Sequence, residues 1–241
     1  MKLIGILMII LIIFSLGLNA ADNEMTVKIE ILGLNLIEIK PDKILMQNGF
    51  YISEAEITNK QYIAYLKDKN IKAKDNLTEN RKPVVNVTMA DCRDFCAWLG
   101  TKYEGSKGEF RLPSKKEWLY AAYGGKRKYP WGDEELVNTY NYGIDNNDGH
   151  HKGRMNMVGV KRVKLYLKGA TPDGIYDMWG NVNEFVLYES NKPDFWEVPY
   201  WMGGSFETGK NKPSQSYWGF AHDPKYNDSD IGFRIVFIPS E

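Results

Sequence analysis

Three groups of residues in this 241-residue sequence are of types that carry chemistry. Cys92 and Cys96 stand four apart, a spacing that puts both thiols on one side of a helix. Soft sulfur ligands hold copper(I) or zinc, so a metal reading of the pair is open. The i,i+4 geometry is awkward for a disulfide, and both residues also extend an apolar stripe, which reads as two core thiols. The tandem His150-His151 sits in an Asp/Asn/Gly-rich loop with Asp145 and Asp148 close by. Adjacent histidines in such a loop are either solvated or a transition-metal site. His222, the third histidine, is either a groove residue or an exposed turn residue. Arg234, in Gly232-Phe233-Arg234, is expected as the buried partner of a carboxylate rather than as a catalyst.

The elements that position these residues begin with three helix starts of one design. Thr58 to Gln61, Thr88 to Asp91 and Ser114 to Glu117 each place a hydroxyl cap three residues before an acid or amide that reaches back to it, Asp91 less well than the other two. The first helix turns Tyr62, Ile63, Tyr65 and Leu66 inward. The second carries Cys92, Phe95, Cys96 and Leu99 at i, i+3, i+4 and i+7. The third carries Trp118, Leu119, Ala121 and Ala122 and ends at Gly124-Gly125. Ahead of them, residues 25–52 alternate loosely and read as short strands or a hairpin around Gly33. Beyond residue 125 the chain is rich in Gly, Asn, Asp, Tyr and Trp. Five of the seven Trp fall there, which favours an ordered, irregular fold over disorder.

The charge is balanced, 31 basic against 31 acidic side chains, which excludes a phosphate-binding surplus and so argues against nucleic acid or a polybasic membrane surface. Two cysteines exclude a disulfide framework and a multi-cysteine zinc module. Lys2, the apolar run Leu3 to Leu18 and the small or polar Asn19-Ala20-Ala21-Asp22 have the three parts of a secretory signal. The expected division is a signal peptide over 1–20, N-terminal strands over 22–49 and one domain over 50–241. The protein is expected outside the cytoplasm, secreted or periplasmic, with no stable span after cleavage. The alternative is tethering by an uncleaved N-terminal segment.

A series of short motifs runs through the chain: Glu56-Ile57-Thr58-Asn59-Lys60-Gln61-Tyr62; Pro83-Val84-Val85-Asn86-Val87; Phe95-Cys96-Ala97-Trp98-Leu99; Arg111-Leu112-Pro113-Ser114 before Glu117-Trp118; Tyr129-Pro130-Trp131-Gly132; Asn141-Tyr142-Gly143; Gly174 through Phe185, with Asp177-Met178-Trp179-Gly180-Asn181; Gly203-Gly204-Ser205-Phe206; and Ile231-Gly232-Phe233-Arg234. In this order they resemble the formylglycine-generating enzyme (sulfatase-modifying factor) family, from about residue 50 to residue 237. The resemblance implies an irregular α+β domain of C-type-lectin-like architecture, with few helices and short strands; Trp131 and Trp179, which match its motifs, and Trp218, which does not, are expected as core or groove walls.

In the oxidases of that family two C-terminal cysteines bind one copper ion and turn a sulfatase cysteine into formylglycine with dioxygen. Counted from Ser205, their places here hold Thr208 and Pro213, and no Cys follows Cys96. Met202 precedes Gly203-Gly204, and Gln215-Ser216-Tyr217-Trp218 stands where arginines are common. Copper oxidase chemistry is therefore not expected, and no catalytic residue is assigned. The sulfoxide-forming branch holds iron with histidines mostly from an additional helical domain, which has no counterpart in these 241 residues. The family's second calcium site carries over to Asp177, Gly180, Val182 and Glu184, two side-chain oxygens and two carbonyls, donors that suit a hard cation. The alternative is that Asp177 and Glu184 cap turns around Gly180-Asn181. For the first site Asn141 and Tyr142 match, with Asp148 or Asp145 as a further ligand, so calcium is the expected structural cofactor.

C-type-lectin-like members display varied residues just before the Gly-Phe-Arg strand. Here that face comprises Glu207, Thr208, Lys210, Asn211, Gln215, Tyr217, Trp218, His222 and Tyr226, a mixture of aromatics, amides and charges suited to a glycan or protein surface. The resemblance thus implies an exported, calcium-stabilised binding module whose partner is a glycan, a peptide or an envelope protein. The alternative is a metal-dependent oxidoreductase or tailoring enzyme of the same family.

Overall fold

A computed structural model of the chain describes residues 17–18 and 25–29 by their backbone, and 32–42, 44–74, 77–102, 108–134, 136, 139–141, 159–188, 198–208 and 218–240 with their side chains. Helices α1 (Asn59–Asp68), α2 (Met89–Lys102) and α3 (Lys115–Tyr123) stand where the caps place them. Thr58 and Gln61 close a capping box in both directions, as do Ser114 and Glu117. The Thr88–Asp91 box also closes fully. Asp91 Oδ2 accepts the Thr88 N–H at 2.8 Å, and a second bond at 2.8 Å from the Thr88 hydroxyl holds the shorter carboxylate in reach. Each cap contributes about 1 kcal/mol. Gly124 ends α3 in the left-handed conformation, φ 55°, which a residue without Cβ adopts at little cost.

The strands are β1 (Gly17–Leu18), β2 (Met25–Ile29), β3 (Leu34–Ile39), β4 (Phe50–Ser53), β5 (Gly108–Arg111), β6 (Asn183–Val186), β7 (Tyr200–Met202), β8 (Trp218–Phe220), β9 (Ile231–Gly232) and β10 (Val236–Pro239). Six of them form a sheet in the order β1-β2-β3-β4-β10-β5, and four form a second sheet in the order β8-β7-β6-β9. β2 and β3 are the expected hairpin, with Ile29 opposite Leu34 and Gly33 at φ 58°. β1 lies inside the expected signal segment and pairs with β2, Gly17 opposite Thr26. The last strand, β10, lies between β4 and β5, with Val236 opposite both Ile52 and Arg111. This is an α+β fold of few helices and short strands, as expected.

The second sheet separates two apolar clusters. Side chains alternate across a strand, so Phe185 and Trp201 face a cluster built on α1 and α2, where Tyr62, Tyr65, Phe95, Trp98 and Phe233 pack ring on ring. Val186, Tyr200 and Met202 face Trp118, Ala121 and Ala122 of α3 with Ile175 and Met178. Cys92, Phe95, Cys96 and Leu99 are all buried in the first cluster, which settles the stripe on α2 as core. In α1 Tyr62, Tyr65 and Leu66 are buried, while Ile63 is half-buried at the cluster's edge.

Candidate functional site

The chain between residues 176 and 182 is turned by three left-handed residues, Asp177 (φ 55°), Gly180 (φ 79°) and Asn181 (φ 61°). Gly180 must be glycine: a Cβ there would fall 2.3 Å from the Asn141 carbonyl oxygen. Asn181 ties the loop together. Its Oδ1 accepts from Asn141 Nδ2 and Lys161 N, and its Nδ2 donates to Glu56 Oε1. Beneath this loop lies Arg234, fully buried. Its guanidinium donates to Glu184 Oε2 (2.6 Å) and Oε1 (2.7 Å), and to the carbonyls of Ser53 (3.2 Å) and Tyr176 (3.0 Å). The Trp118 indole N–H also donates to Glu184 Oε2, at 2.7 Å. Arg234 is thus the buried ion-pair partner that the sequence suggested, and Glu184 is its acid.

Two more acids adjoin this pair. Burial, with the charges of Asp177 and Glu184, raises the Glu56 carboxyl well above the ordinary range. Asp177 is pushed up to about 6 by burial, against the Lys164 N–H bond and the charge of Arg234. Glu56 Oε2 is buried and has no hydrogen-bond partner among the described residues. A calcium ion held by Asp177, Gly180, Val182 and Glu184 does not fit this arrangement: both Glu184 oxygens bind the guanidinium, and Asp177 Oδ2 accepts the Lys164 N–H at 2.7 Å. Among the described residues no group of three His, Cys, Asp or Glu is placed to hold a metal. Asn141, from the other expected calcium site, keeps one oxygen that no described group uses. Its Nδ2 donates to Asn181 and Gly159, while its buried Oδ1 has no partner. Tyr142, Asp145, Asp148, His150 and His151 lie outside the described residues.

The residues of the expected ligand face divide between the two sides of β7 and β8. On the Trp201 side, Tyr226 stacks on Trp201 (centroids 5.4 Å apart) and donates its hydroxyl to Asp228. Asp230 Oδ2 accepts from Ser205 Oγ (2.6 Å) and Asn183 Nδ2 (2.9 Å). Asn183 Oδ1 is buried and has no partner. Burial and the neighbouring Asp230 and Asp228 raise Glu207, and burial with Asp228 raises Asp230. Glu207, Asp228 and Asp230 therefore form an acidic cluster beside Tyr226. Asp228 and Asp230 escaped the sequence reading, and Asn183 and Ser205 entered it only as motif residues, although Asp228-Ser229-Asp230 directly before Ile231-Gly232-Phe233-Arg234 was a visible signal.

Thr208, at a place counted for a copper cysteine, has its Oγ1 accepting the Ser205 N–H at 2.8 Å, closing a tight turn after Gly203 and Gly204. Trp218 and His222 lie on the other side of the sheet with Phe220; Phe220 meets His222 edge-on at 5.1 Å. Pro213, Lys210, Asn211, Gln215 and Tyr217 lie outside the described residues.

Residues 14–238 match the family profile described as "sulfatase-modifying factor enzyme 1-like domain". The chain belongs to that family. It is 32% identical over 114 residues to an "inactive C-alpha-formylglycine-generating enzyme 2" of Bos taurus, a match covering 46% of this chain and only 35% of that protein. It is 26% identical over 249 aligned positions to the "chaperone protein LppX" of Paenibacillus barcinonensis, covering 81% of this chain and 82% of that one. Among solved structures, Treponema denticola variable protein 1 superposes with a TM-score of 0.66 at 20% identity, over 90% of this chain and 100% of that one, a likeness of fold. No helix among the described residues is long and apolar enough to cross a membrane.

Proposed function

We propose that this protein is a non-oxidase member of its family, an exported module that binds a ligand or a partner protein at the acidic cluster beside Ser205. One observation carries the reading. Where the oxidases place a copper thiolate, Thr208 has its hydroxyl accepting the Ser205 N–H, and the only two thiols are core residues of α2. A hydroxyl is a poor ligand for copper(I), which soft sulfur holds. The cluster offers Glu207, Asp228 and Asp230 next to a stacked Trp–Tyr pair, and an acceptor at Asn183 Oδ1. Carboxylates and aromatic faces together suit a cationic group, such as the amine or guanidinium of a peptide side chain. Calcium is kept in this proposal at Asn141, whose Oδ1 is a free oxygen donor, and not at Glu184.

A second reading, a tailoring enzyme working by acid–base chemistry, is favoured by Glu207 and Asp230, two carboxyls raised in one cluster. The test is calorimetric titration with an Arg-rich peptide, alongside oxygen consumption with a sulfatase-type cysteine peptide and copper. Binding that weakens about tenfold in the double variant Glu207→Gln/Asp228→Asn, with no oxygen uptake, supports the proposal. Formylglycine formed in a copper-dependent way sinks it.

A further inference from the structure

Among the described residues, the outer strand of the four-stranded sheet has an open edge. Among the described strands β8 has one neighbour, β7. Trp201 lies opposite Gly219, and the Ala221 N–H donates to the Pro199 carbonyl at 3.0 Å. In an antiparallel ladder such hydrogen-bonded pairs alternate with pairs whose amides point away. Trp218 and Phe220, opposite Met202 and Tyr200, therefore turn their N–H and C=O outward, and neither makes a further bond. An edge of this kind is a template for another strand.

The side chains beside that edge are equally unspent. Trp218 is 46% exposed and Phe220 42%, unusual for rings of this size. They continue a row of stacked rings, Tyr188 on Tyr200 at 4.2 Å and Tyr200 on Phe220 at 5.7 Å. Lys115 Nζ lies 5.3 Å from the Trp218 ring centroid and 5.8 Å from that of Tyr188, with no carboxylate among the described residues paired to it. A cavity of about 340 Å³ opens beside Lys115 and Tyr188, walled by Leu45, Leu119 and Tyr123.

We propose that β8 takes an extended peptide segment of a partner protein as a fifth strand of its sheet. The segment carries a carboxylate that pairs with Lys115 and, two residues away on the same face, an apolar side chain that enters the Leu119–Tyr188 cavity. Charge decides the occupant: among the described residues the cation beside the edge is unpaired, and the cavity beside it is mainly apolar. Main-chain bonds to Trp218 and Phe220 supply affinity, and the two side chains supply choice. This surface lies across β7 and β8 from Tyr226, so it goes beyond the acidic-cluster reading and stands without it.

The test uses the full chain, isotope-labelled for amide spectra, and the peptide acetyl-Thr-Val-Thr-Glu-Thr-amide. Binding moves the Trp218, Gly219 and Phe220 amides and leaves Glu207 unmoved. Methylating the peptide nitrogens that face the ladder weakens it about fivefold each, the value of one hydrogen bond, while methylating the alternate nitrogens does not. Lys115→Gln, which leaves β8 intact, weakens it about threefold and abolishes the preference over a Lys-for-Glu peptide. Equal affinity of all the methylated peptides overturns the proposal. So does tighter binding of a galacturonate trisaccharide at the same amides, or self-association through β8 that the peptide does not compete.

Discussion

Replacing Arg234 by Met tests the energetic centre of the molecule. Methionine keeps much of the apolar volume but removes a guanidinium that donates to both oxygens of Glu184 and to the carbonyls of Ser53 and Tyr176. Both partners of the ion pair are buried, with side-chain exposures of 0% and 1%, so water cannot take over the lost bonds. Orphaning one charge of a buried pair costs about 3–5 kcal/mol. That is a large part of the roughly 5–15 kcal/mol that holds a domain folded. At about 2–4 °C per kcal/mol for a chain of this size, Tm falls by about 6–20 °C. The double variant Arg234→Met/Glu184→Gln removes both charges and keeps an acceptor for the Trp118 indole, so it recovers more than about 1 kcal/mol of the loss. Urea unfolding followed by tryptophan fluorescence measures both. A single variant that loses under about 1 kcal/mol, or a double variant no better than the single, refutes the reasoning.

Burial opposes ionisation of Glu117, but the Arg111 guanidinium and the Ser114 amide outweigh it and hold its pKa below the usual range. A depressed folded pKa stabilises above the unfolded value, so Glu117→Gln costs about 1–3 kcal/mol at pH 7, and the gap to the parent narrows as pH falls below about 4.3; a pH-independent gap in urea unfolding contradicts this. Calcium at a hundredfold excess over its dissociation constant adds about 2.7 kcal/mol to stability, and Asn141→Ala abolishes the gain. A Tm indifferent to calcium and to chelator removes calcium from the proposal. Burial raises both cysteine thiols, so neither Cys92 nor Cys96 reacts with a disulfide reagent at pH 8 until denaturant is added. Fast labelling of the folded chain would place one of them at the surface.

Local features were legible in the sequence, and long-range pairings were not. The helix starts at Thr58, Thr88 and Ser114 could be read because a cap and its partner lie three residues apart. Cys92 and Cys96 could be read as core because their stripe is periodic. Arg234 was legible as a buried ion-pair residue, yet its acid lies 50 positions away, and the Glu56–Asn181 bond spans 125. Nothing local marks such partners. The family motif pointed to Glu184 as a calcium ligand, whereas the three-dimensional arrangement gives its oxygens to a guanidinium. The ligand face divided for a simpler reason: strand alternation in β7 and β8 sends Trp218 and Trp201 to opposite sides, and three-residue strands are too short for that pattern to show in the sequence.

The place of β10 has a consequence for how the molecule comes into being. Its four residues, Val236–Pro239, are the common neighbour of β4 and β5, which are made some 180 and 130 residues earlier. During synthesis β4 and β5 therefore have nothing between them until residues 236–239 leave the ribosome. Such pairings demand long loop closures before they return any stabilisation, so folding is slow and waits on β10. A nascent chain halted before residue 236 would expose both strand edges to proteolysis, and one released whole would protect them in a single late step.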